Sequence, residues 1–320
     1  MKNNFNFDPD KVISKYNFLV VGLVRNCEKT VYRDISRIYN ILNTSKSLHW
    51  FVVESDSDDQ TKFELIKLKN KIKNFRYKSL GNLKAKMPLR TERMAYCRNR
   101  YLAEIKKSNK YKNIDYVIVA DLDGINTHLN KNAVASCWKN KKKWDMCSAN
   151  QLGPYYDIWT LRHKDWSPND CWHQYRFLNL YENNYEKNLQ QSVFSRMIKI
   201  PVNSEWIAVD SAYGGFAIYK KYLFNFSSHV GLDNLGNQVS DIVDFNIKLK
   251  QRGAKLFINP KLINAKYTEH SKKLLFFQTL VRKLRFLLKK ILLLFFHERN
   301  TKIILKNLKF KFRKLYEKNN

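Results

Sequence analysis

Short apolar runs rich in β-branched residues alternate with segments of helical periodicity in the first part of the chain. The apolar runs are residues 18–24, 48–53 and 75–80, and apolar residues recur three or four apart within residues 31–42 and 62–73. The first pattern is typical of buried strands and the second of amphipathic helices. Strands that alternate with helices through short connections form parallel sheets covered by helices. We therefore predict an α/β fold with a mostly parallel sheet flanked by helices.

A further buried strand is predicted at residues 116–120, and two acids separated by one residue follow it, Asp121 and Asp123. Alternate residues of extended backbone point the same way, so both carboxylates can reach one cation. In open α/β sheets, ligands bind beyond the carboxyl ends of the strands. A hard divalent ion takes oxygen ligands and commonly binds carboxylates together with a diphosphate. The alternative interpretation is a ligand-free turn in which Gly124 supplies a positive φ.

Polar residues also follow the first two predicted strands. Arg25 and Asn26 come after the first strand, and an acidic, hydroxyl-rich run that begins at Glu54 follows the second and also suits a helix N-terminus. The helix predicted before the Asp-x-Asp strand contains Arg93 and Arg98. Arginine suits phosphate because its planar group donates two parallel hydrogen bonds. A basic, solvated helix face is the alternative for this cluster.

The second half of the chain gives weaker patterns. Residues 151–191 are rich in Tyr and Trp and are predicted to be irregular, either as an aromatic wall for a ligand or as a loop folded over the sheet. Short strands are predicted at residues 198–202 and 207–210, and residues 255–260 are predicted to be the last strand.

The composition limits the class of protein. The chain has 59 Lys and Arg residues against 28 Asp and Glu residues, and its net charge of +31 favours polyanionic partners such as nucleic acid, anionic lipid or phosphorylated substrates. Five cysteines without a Cys-x-x-Cys pair favour a reducing compartment over disulfides or structural zinc. No apolar segment typical of a signal peptide or a membrane span is present, so we expect a cytoplasmic protein. The dinucleotide fingerprint is absent, because Gly22 stands alone after the first strand.

The C-terminal tail is strongly basic. Residues 266–320 hold 16 Lys and Arg residues against three Glu residues, a net charge of +13. Apolar residues from Phe277 to Phe295 fall on one helical stripe, and the basic residues lie largely off it. A basic amphipathic helix of this kind lies in the membrane interface and attracts anionic lipid, although a helix packed on the rest of the protein is the alternative. We predict two domains, residues 1–265 and 266–320.

The polar motifs at successive strand ends are Arg25-Asn26, the run from Glu54, Arg93-x-x-x-x-Arg98, and Asp121-x-Asp123. In order and spacing they resemble those of nucleotide-sugar glycosyltransferases of the GT-A fold. Within these, the closest likeness is to the capsule-associated α-mannosyltransferase-like family. The resemblance covers about residues 17–265. It implies a Rossmann-like GT-A catalytic domain followed by the basic amphipathic tail.

The resemblance also implies roles for individual residues. It implies that Asp121 and Asp123 hold Mn²⁺ or Mg²⁺ on the diphosphate of a UDP- or GDP-sugar, with Asp121 also counted among the donor-binding residues. His270 is implied as a third metal ligand, and a surface histidine is the alternative. The other residues that the resemblance implies for donor binding are Arg25, Asn26 and Glu54 at the nucleotide, and Arg93 and Arg98 at phosphate.

Two acids are candidates for contact with the acceptor. Asp241 and Asp244 lie three residues apart on one face of the helix predicted at residues 241–250. The resemblance leads us to expect Glu-His at the start of this helix, whereas this chain has Asp241-Ile242, so either acid is a candidate. A carboxylate there can deprotonate an acceptor hydroxyl if the anomeric centre inverts, and retention is the other outcome.

The predicted function is metal-dependent sugar transfer to a glycan or lipid-linked acceptor. The resemblance implies a role in bacterial surface polysaccharide synthesis, as capsule, lipopolysaccharide or O-antigen. The basic tail predicts a peripheral location on the inner face of the cytoplasmic membrane. The alternative is a basic nucleic-acid-binding α/β protein without transferase activity. Nucleic acid is not an expected partner, because no recognisable nucleic-acid motif accompanies the positive charge.

Overall fold

The computed structural model describes residues 7–139, 143–271 and 287. The chain forms two compact units, Met1–Thr268 and Glu269–Asn320. The predicted amphipathic helix of the tail lies outside the described residues. In the described part of the chain, no helix has both the length and the apolar character needed to cross a membrane.

An eight-stranded sheet organises the first unit, with the strand order β3-β2-β1-β4-β7-β5-β8-β6. Parallel pairing joins β3 to β2, β2 to β1, β1 to β4 and β5 to β8, while β7 is antiparallel to both β4 and β5, and β6 is antiparallel to β8. The predicted α/β fold with a mostly parallel sheet is confirmed. The strands are β1 (Asn17–Val24), β2 (Ser47–Glu54), β3 (Phe75–Ser79), β4 (Tyr116–Ala120), β5 (Met146–Gln151), β6 (Ile207–Ala208), β7 (Phe216–Lys220) and β8 (Leu256–Ala265).

The helices of the described residues flank this sheet. The helices predicted in the first half of the chain are confirmed, with ends that differ by a few residues. They form because apolar side chains at helical spacing can be buried together on one face, as in residues 31–42. The α-helices are α1 (Pro9–Ile13), α2 (Val31–Leu42), α3 (Thr61–Lys71), α4 (Arg90–Lys107), α5 (Lys131–Lys139), α6 (Cys171–Tyr181), α7 (Tyr185–Ser192) and α8 (Asp241–Gln251).

The centre of the sheet is closed on both faces. On one face, Ile35 of α2 and Val134 of α5 belong to the same hydrophobic cluster as Val20 of β1 and Ile118 of β4. Helix α4 contacts β1 and β2. Because this packing holds β4 at the centre of the sheet, the chain that follows Ala120 emerges at a fixed place on the sheet edge.

Two predictions for the second half were wrong. The segment at residues 151–191 contains two helices, because Asp170 accepts hydrogen bonds from the first N–H groups of α6 and Asn184 accepts one from the N–H of Lys187 in α7. Residues 198–202 do not form a strand; Lys199 makes an isolated bridge with Pro154, and Pro201 lacks the N–H that a continued ladder requires.

Candidate functional site

The Asp-x-Asp turn begins directly beyond the carboxyl end of β4. The Asp121 N–H donates to the Gly215 carbonyl at 2.9 Å, and the Tyr213 hydroxyl donates to Asp121 Oδ1 at 3.0 Å. The Asn126 side-chain amide donates to the Asp121 carbonyl at 2.6 Å. Asp121 is partly buried and Asp123 is exposed. The first carboxylate of the pair is therefore held in place by protein, and the second faces solvent.

The electrostatic environment of Asp121 opposes its negative charge. Burial raises the pKa of Asp121 to about 8, the nearby carboxylates of Asp123 and Asp157 act in the same direction, and Arg98 and Tyr213 act against them. A divalent cation would stabilise the ionised form of such a cluster. The donor set fits a hard ion such as Mg²⁺ or Mn²⁺, which commonly binds one or two carboxylates together with substrate phosphates and water.

A third metal ligand from the protein was predicted at His270. Within the described part of the chain, no group of three or more His, Cys, Asp or Glu side chains is arranged to hold a metal ion. His270 belongs to the second compact unit, and its role as a ligand stays a prediction.

Asp34 of α2 lies beneath the Asp-x-Asp turn and was not singled out in the sequence. Its Oδ2 accepts a hydrogen bond from the Gly124 N–H at 2.6 Å, and its side chain is fully buried. Burial raises the pKa of Asp34 to about 6. The sequence signal was an acid within the apolar stripe of α2, between the buried residues Val31 and Ile35.

The residues predicted at the nucleotide lie at the carboxyl ends of β1 and β2, where Glu54 is the last residue of β2 and Arg25 and Asn26 directly follow β1. Asn26 has a positive φ of 49°, and its side-chain oxygen accepts the Asp58 N–H at 3.0 Å. Glu54 is fully buried and accepts the Ser57 N–H at 3.0 Å. Arg25 is exposed at the same edge. The structure thus brings these three residues together, and their contact with a nucleotide stays a prediction.

Arg93 is engaged by the protein itself. Its Nη1 donates to the carbonyl oxygens of Met87 and Pro88 at 2.6 and 2.7 Å, and its Nε lies 3.7 Å from a carboxylate oxygen of Asp56. The side chain is buried. Arg93 therefore holds the loop before α4 against the loop after β2, and its predicted contact with phosphate is untested.

Arg98 and Asp241, predicted for separate roles, form a buried ion pair between α4 and α8. Arg98 also donates to the Tyr101 hydroxyl at 3.2 Å, and its guanidinium lies 5.5 Å from the centre of the Tyr213 ring. Burial acts against the charge of Arg98, but Asp241, the two tyrosines and Asp121 together raise the pKa of Arg98 above its ordinary value. Arg98 therefore stays protonated close to the Asp-x-Asp turn, with Asp241 as its buried counter-ion.

Asp244 occupies a different environment from Asp241. It lies one turn further along α8 and pairs with Lys248 at 2.7 Å, with its side chain one-third exposed. Of the two predicted acceptor-side acids, Asp241 is thus neutralised by a buried arginine, and Asp244 lies in an i,i+4 surface pair. The assignment of either acid to the acceptor stays a prediction.

A buried histidine supports the Arg98–Asp241 pair. His229 Nδ1 lies 2.9 Å from the Asp241 carbonyl oxygen, and the imidazole stacks on Phe245 at 4.5 Å. Asn99 of α4 makes two hydrogen bonds of 2.9 Å with the His229 backbone. Burial lowers the pKa of His229 to about 4, so the ring is neutral near pH 7. No local signal in the sequence marks this residue, because its partner Asn99 lies 130 residues away.

A further carboxylate near the turn, Asp157, had no recognisable motif in the sequence. It lies in the loop after β5, where its Oδ2 accepts the Gly214 N–H at 2.9 Å and the Thr160 hydroxyl at 2.6 Å. The next residue, Gly215, accepts the Asp121 N–H. The two consecutive glycines therefore connect Asp157 to the Asp-x-Asp turn.

Comparison with known proteins gives likenesses at the level of structure. No family model matches the chain, and no curated protein matches it. A similar solved structure is the mannosyltransferase PcManGT from Pyrobaculum calidifontis in complex with GDP-Man and Mn²⁺. The identity is 14%, the TM-score is 0.45, and the match covers 83% of this chain and 60% of that one.

Two other similar structures contain nucleotides of the uridine series. Glucosyl-3-phosphoglycerate synthase from Mycobacterium tuberculosis in complex with UDP is 15% identical, with a TM-score of 0.39 and coverage of 81% of this chain and 72% of that one. S. aureus TarS 1-349 in complex with UDP-GlcNAc is 13% identical, with a TM-score of 0.45 and coverage of 80% and 60%. The match spans about 60% of the mannosyltransferase and of TarS.

Proposed function

We propose that this chain is a metal-dependent glycosyltransferase that uses a nucleotide-sugar donor. The observation that carries the proposal is the cluster of Asp121, Asp123 and Arg98 at the carboxyl end of β4, with the loops after β1 and β2 beside it. Ligands of open α/β sheets bind at this edge. Carboxylates for a cation and a buried arginine for nearby negative charge are the groups that a nucleoside diphosphate requires.

The chemistry of sugar transfer explains why these groups belong together. Cleavage of the sugar–diphosphate bond places negative charge on the departing phosphate. A bound divalent ion supplies Lewis-acid stabilisation of that charge. Asp121 and Asp123 would hold the ion, and Arg98 contributes positive potential from a position that Asp241 and Tyr101 fix. Asn26 and Glu54 shape the loops that would receive the nucleoside.

We also propose the donor, the metal ion and the acceptor of the reaction. The donor is a UDP- or GDP-sugar, the ion is Mn²⁺ or Mg²⁺, and the acceptor is a glycan or a lipid-linked glycan of a bacterial surface polysaccharide. The acceptor class follows from the family that the sequence motifs resemble. Asp241 and Asp244 are the candidate acceptor-side acids, and the geometry supports Asp244 as the more accessible of the two.

The decisive experiment measures Mn²⁺-dependent binding and hydrolysis of UDP- and GDP-sugars by the full chain. Asp123→Asn should lower donor hydrolysis by about 100-fold or more, because it replaces a negatively charged carboxylate of the proposed metal site by a neutral amide. The matched control is Asp165→Asn, which removes an exposed acid from another part of the surface. Hydrolysis that persists in Asp123→Asn with EDTA present would overturn the metal role.

The alternative function is tested with the same protein. Tight binding of duplex or single-stranded DNA with a steep dependence on salt, together with no hydrolysis of any nucleotide sugar, would replace the transferase proposal by nucleic-acid binding.

We also propose that the basic tail holds the enzyme on an anionic membrane surface. The net charge of +13 in residues 266–320 supports this, since each Lys or Arg near such a surface contributes about 1 kcal/mol. Full-length protein should sediment with anionic vesicles at moderate salt and not with neutral ones. A chain that ends at Thr268, the boundary of the first compact unit, should lose this binding. Equal sedimentation of the two proteins would refute the role of the tail.

A further inference from the structure

Asp34 is a buried acid at a position where an aliphatic residue would be expected. It lies in the first turn of α2, and its side chain has no exposed surface. Oδ2 accepts the Gly124 N–H, whereas Oδ1 has no hydrogen-bond partner among the described residues. Removal of a carboxylate from water costs several kcal/mol unless its charge is compensated. The fold would therefore gain stability from an apolar residue here, and the acid requires another explanation.

The hydrogen bond from Gly124 acts on the peptide that follows Asp123. Gly124 has a φ of 104°, and a Cβ at this position would lie 2.9 Å from Cγ2 of Thr30, the N-cap residue of α2. The turn is thus packed directly against the start of the helix. A buried acceptor for the Gly124 N–H fixes the peptide plane between residues 123 and 124, and with it the backbone from which the Asp123 side chain projects.

The charges around Asp34 connect it to the same site. Arg33 and Arg37 on α2 favour its ionised form, and Asp123 opposes it. A cation bound at Asp123 would reduce this repulsion. Three features therefore meet at the turn: Gly124 has no room for a Cβ, its N–H donates to Asp34, and the carboxylates of Asp34 and Asp123 repel each other unless a cation is bound.

We propose that Asp34 is a positioning residue for the Asp-x-Asp turn, holding the Gly124 amide so that Asp123 is presented to a divalent cation. Asp34 acts through the backbone and touches neither metal nor substrate. This inference rests on the proposed function, and it adds a residue from α2 to the contacts that Tyr213 and Gly215 make with the Asp-x-Asp turn. The buried acid lowers the stability of the fold, but it fixes the backbone from which the proposed metal ligand Asp123 projects.

The test compares Asp34→Leu with Asp34→Asn in the full chain. Leucine is bulkier but has the same branching at Cγ, with methyl groups in place of the two oxygens, so it removes the acceptor. Asp34→Leu should therefore unfold at an equal or higher temperature, while Mn²⁺ affinity in the presence of UDP falls about tenfold or more. Asparagine keeps an acceptor oxygen, so Asp34→Asn should stay within about threefold of wild type, well short of that loss. Mn²⁺ affinity is measured by calorimetry. Asp34→Ala provides a second acceptor-free variant if leucine prevents folding.

The matched control is Asp145→Leu. Asp145 Oδ2 accepts the Lys255 N–H at 2.9 Å, the same type of bond as the one from the Gly124 N–H to Asp34. Asp145 directly precedes β5, at the end of this strand away from the Asp-x-Asp turn, so its replacement should leave Mn²⁺ affinity unchanged. Unchanged affinity in the acceptor-free Asp34 variants would overturn the inference. Equal losses in Asp34→Asn and Asp34→Leu would also overturn it, because the charge and not the bond would then be responsible.

Amide exchange at Gly124 separates this inference from the proposed function. In the metal-free protein, the Gly124 amide should be protected in wild type and Asp145→Leu and should exchange faster in Asp34→Leu. If wild type binds no Mn²⁺ with UDP, the proposed function fails, and the positioning role of Asp34 toward a metal fails with it. If wild type binds Mn²⁺ but Asp34→Leu leaves the affinity unchanged, only the role of Asp34 is refuted, whether or not Gly124 exchanges faster.

Discussion

Removal of one partner from the Arg98–Asp241 pair should destabilise the protein strongly. The two side chains are only 3% and 5% exposed, so water cannot compensate a charge that loses its counter-ion. Loss of one member of a buried pair typically costs about 3–5 kcal/mol. Domains of this kind are stable by only about 5–15 kcal/mol, so Asp241→Asn should remove a large part of the folding free energy.

The measurement is urea unfolding followed by tryptophan fluorescence, which the seven tryptophans make practical. Asp241→Asn and Arg98→Met are measured singly and combined, and the free energies of unfolding are compared. The double variant should lose clearly less stability than the two single losses together, because neither charge is then left unpaired.

A surface pair is the internal control. Arg76 and Glu104 form an ion pair with side chains 39% and 25% exposed, so Glu104→Gln should cost no more than about 1 kcal/mol. If Asp241→Asn costs as little as this control, or if the two changes at Arg98 and Asp241 add without interaction, the pair is not the structural link between α4 and α8 described above.

Two further predictions concern stability. Because burial lowers the pKa of His229 to about 4, the unfolded state binds more protons than the fold between pH 6.5 and pH 4, so stability present above pH 6.5 is lost as the pH falls through this window. The free energy of unfolding of wild type should therefore fall more steeply with acid than that of His229→Gln, by up to about 1.4 kcal/mol per pH unit, and equal slopes would contradict the burial argument. Gly231→Ala should unfold at a much lower temperature than Gly253→Ala, since a Cβ at Gly231 would lie 2.1 Å from the Thr91 carbonyl, whereas Gly253 has open space and only its positive φ to satisfy. Similar melting temperatures would refute this steric reasoning.

Local patterns were sufficient to predict β4 and to place the two acids that follow it at the carboxyl end of this strand. A run of β-branched residues defines a buried strand, and the acids that follow must leave the sheet at its carboxyl end. The same reasoning placed Asn26 and Glu54 at the neighbouring strand ends, where the structure brings them together.

Local patterns could not predict the residues that support the Asp-x-Asp turn and the Arg98–Asp241 pair. Asp34 lies 90 residues from Gly124, and Asn99 lies 130 residues from His229, so these contacts exist only after the sheet and helices have packed. The sequence shows an acid on an apolar helix face, but the segment that it supports depends on the packing of α2 against the turn after β4. For α6, the capping residue Asp170 was visible, but the density of aromatic residues around it favoured an irregular interpretation.

The antiparallel orientation of β7 determines which segment of the chain borders Asp121. Because β7 runs against β4, the segment that enters β7, rather than one that leaves it, lies beside Asp121 and supplies Tyr213 and Gly215. Because β5 is also antiparallel to β7, the long segment between β5 and β7 begins and ends at the sheet edge that carries the Asp-x-Asp turn. A different segment could be inserted between these two strand ends to change what approaches this edge, while β4 and its two acids remain as they are.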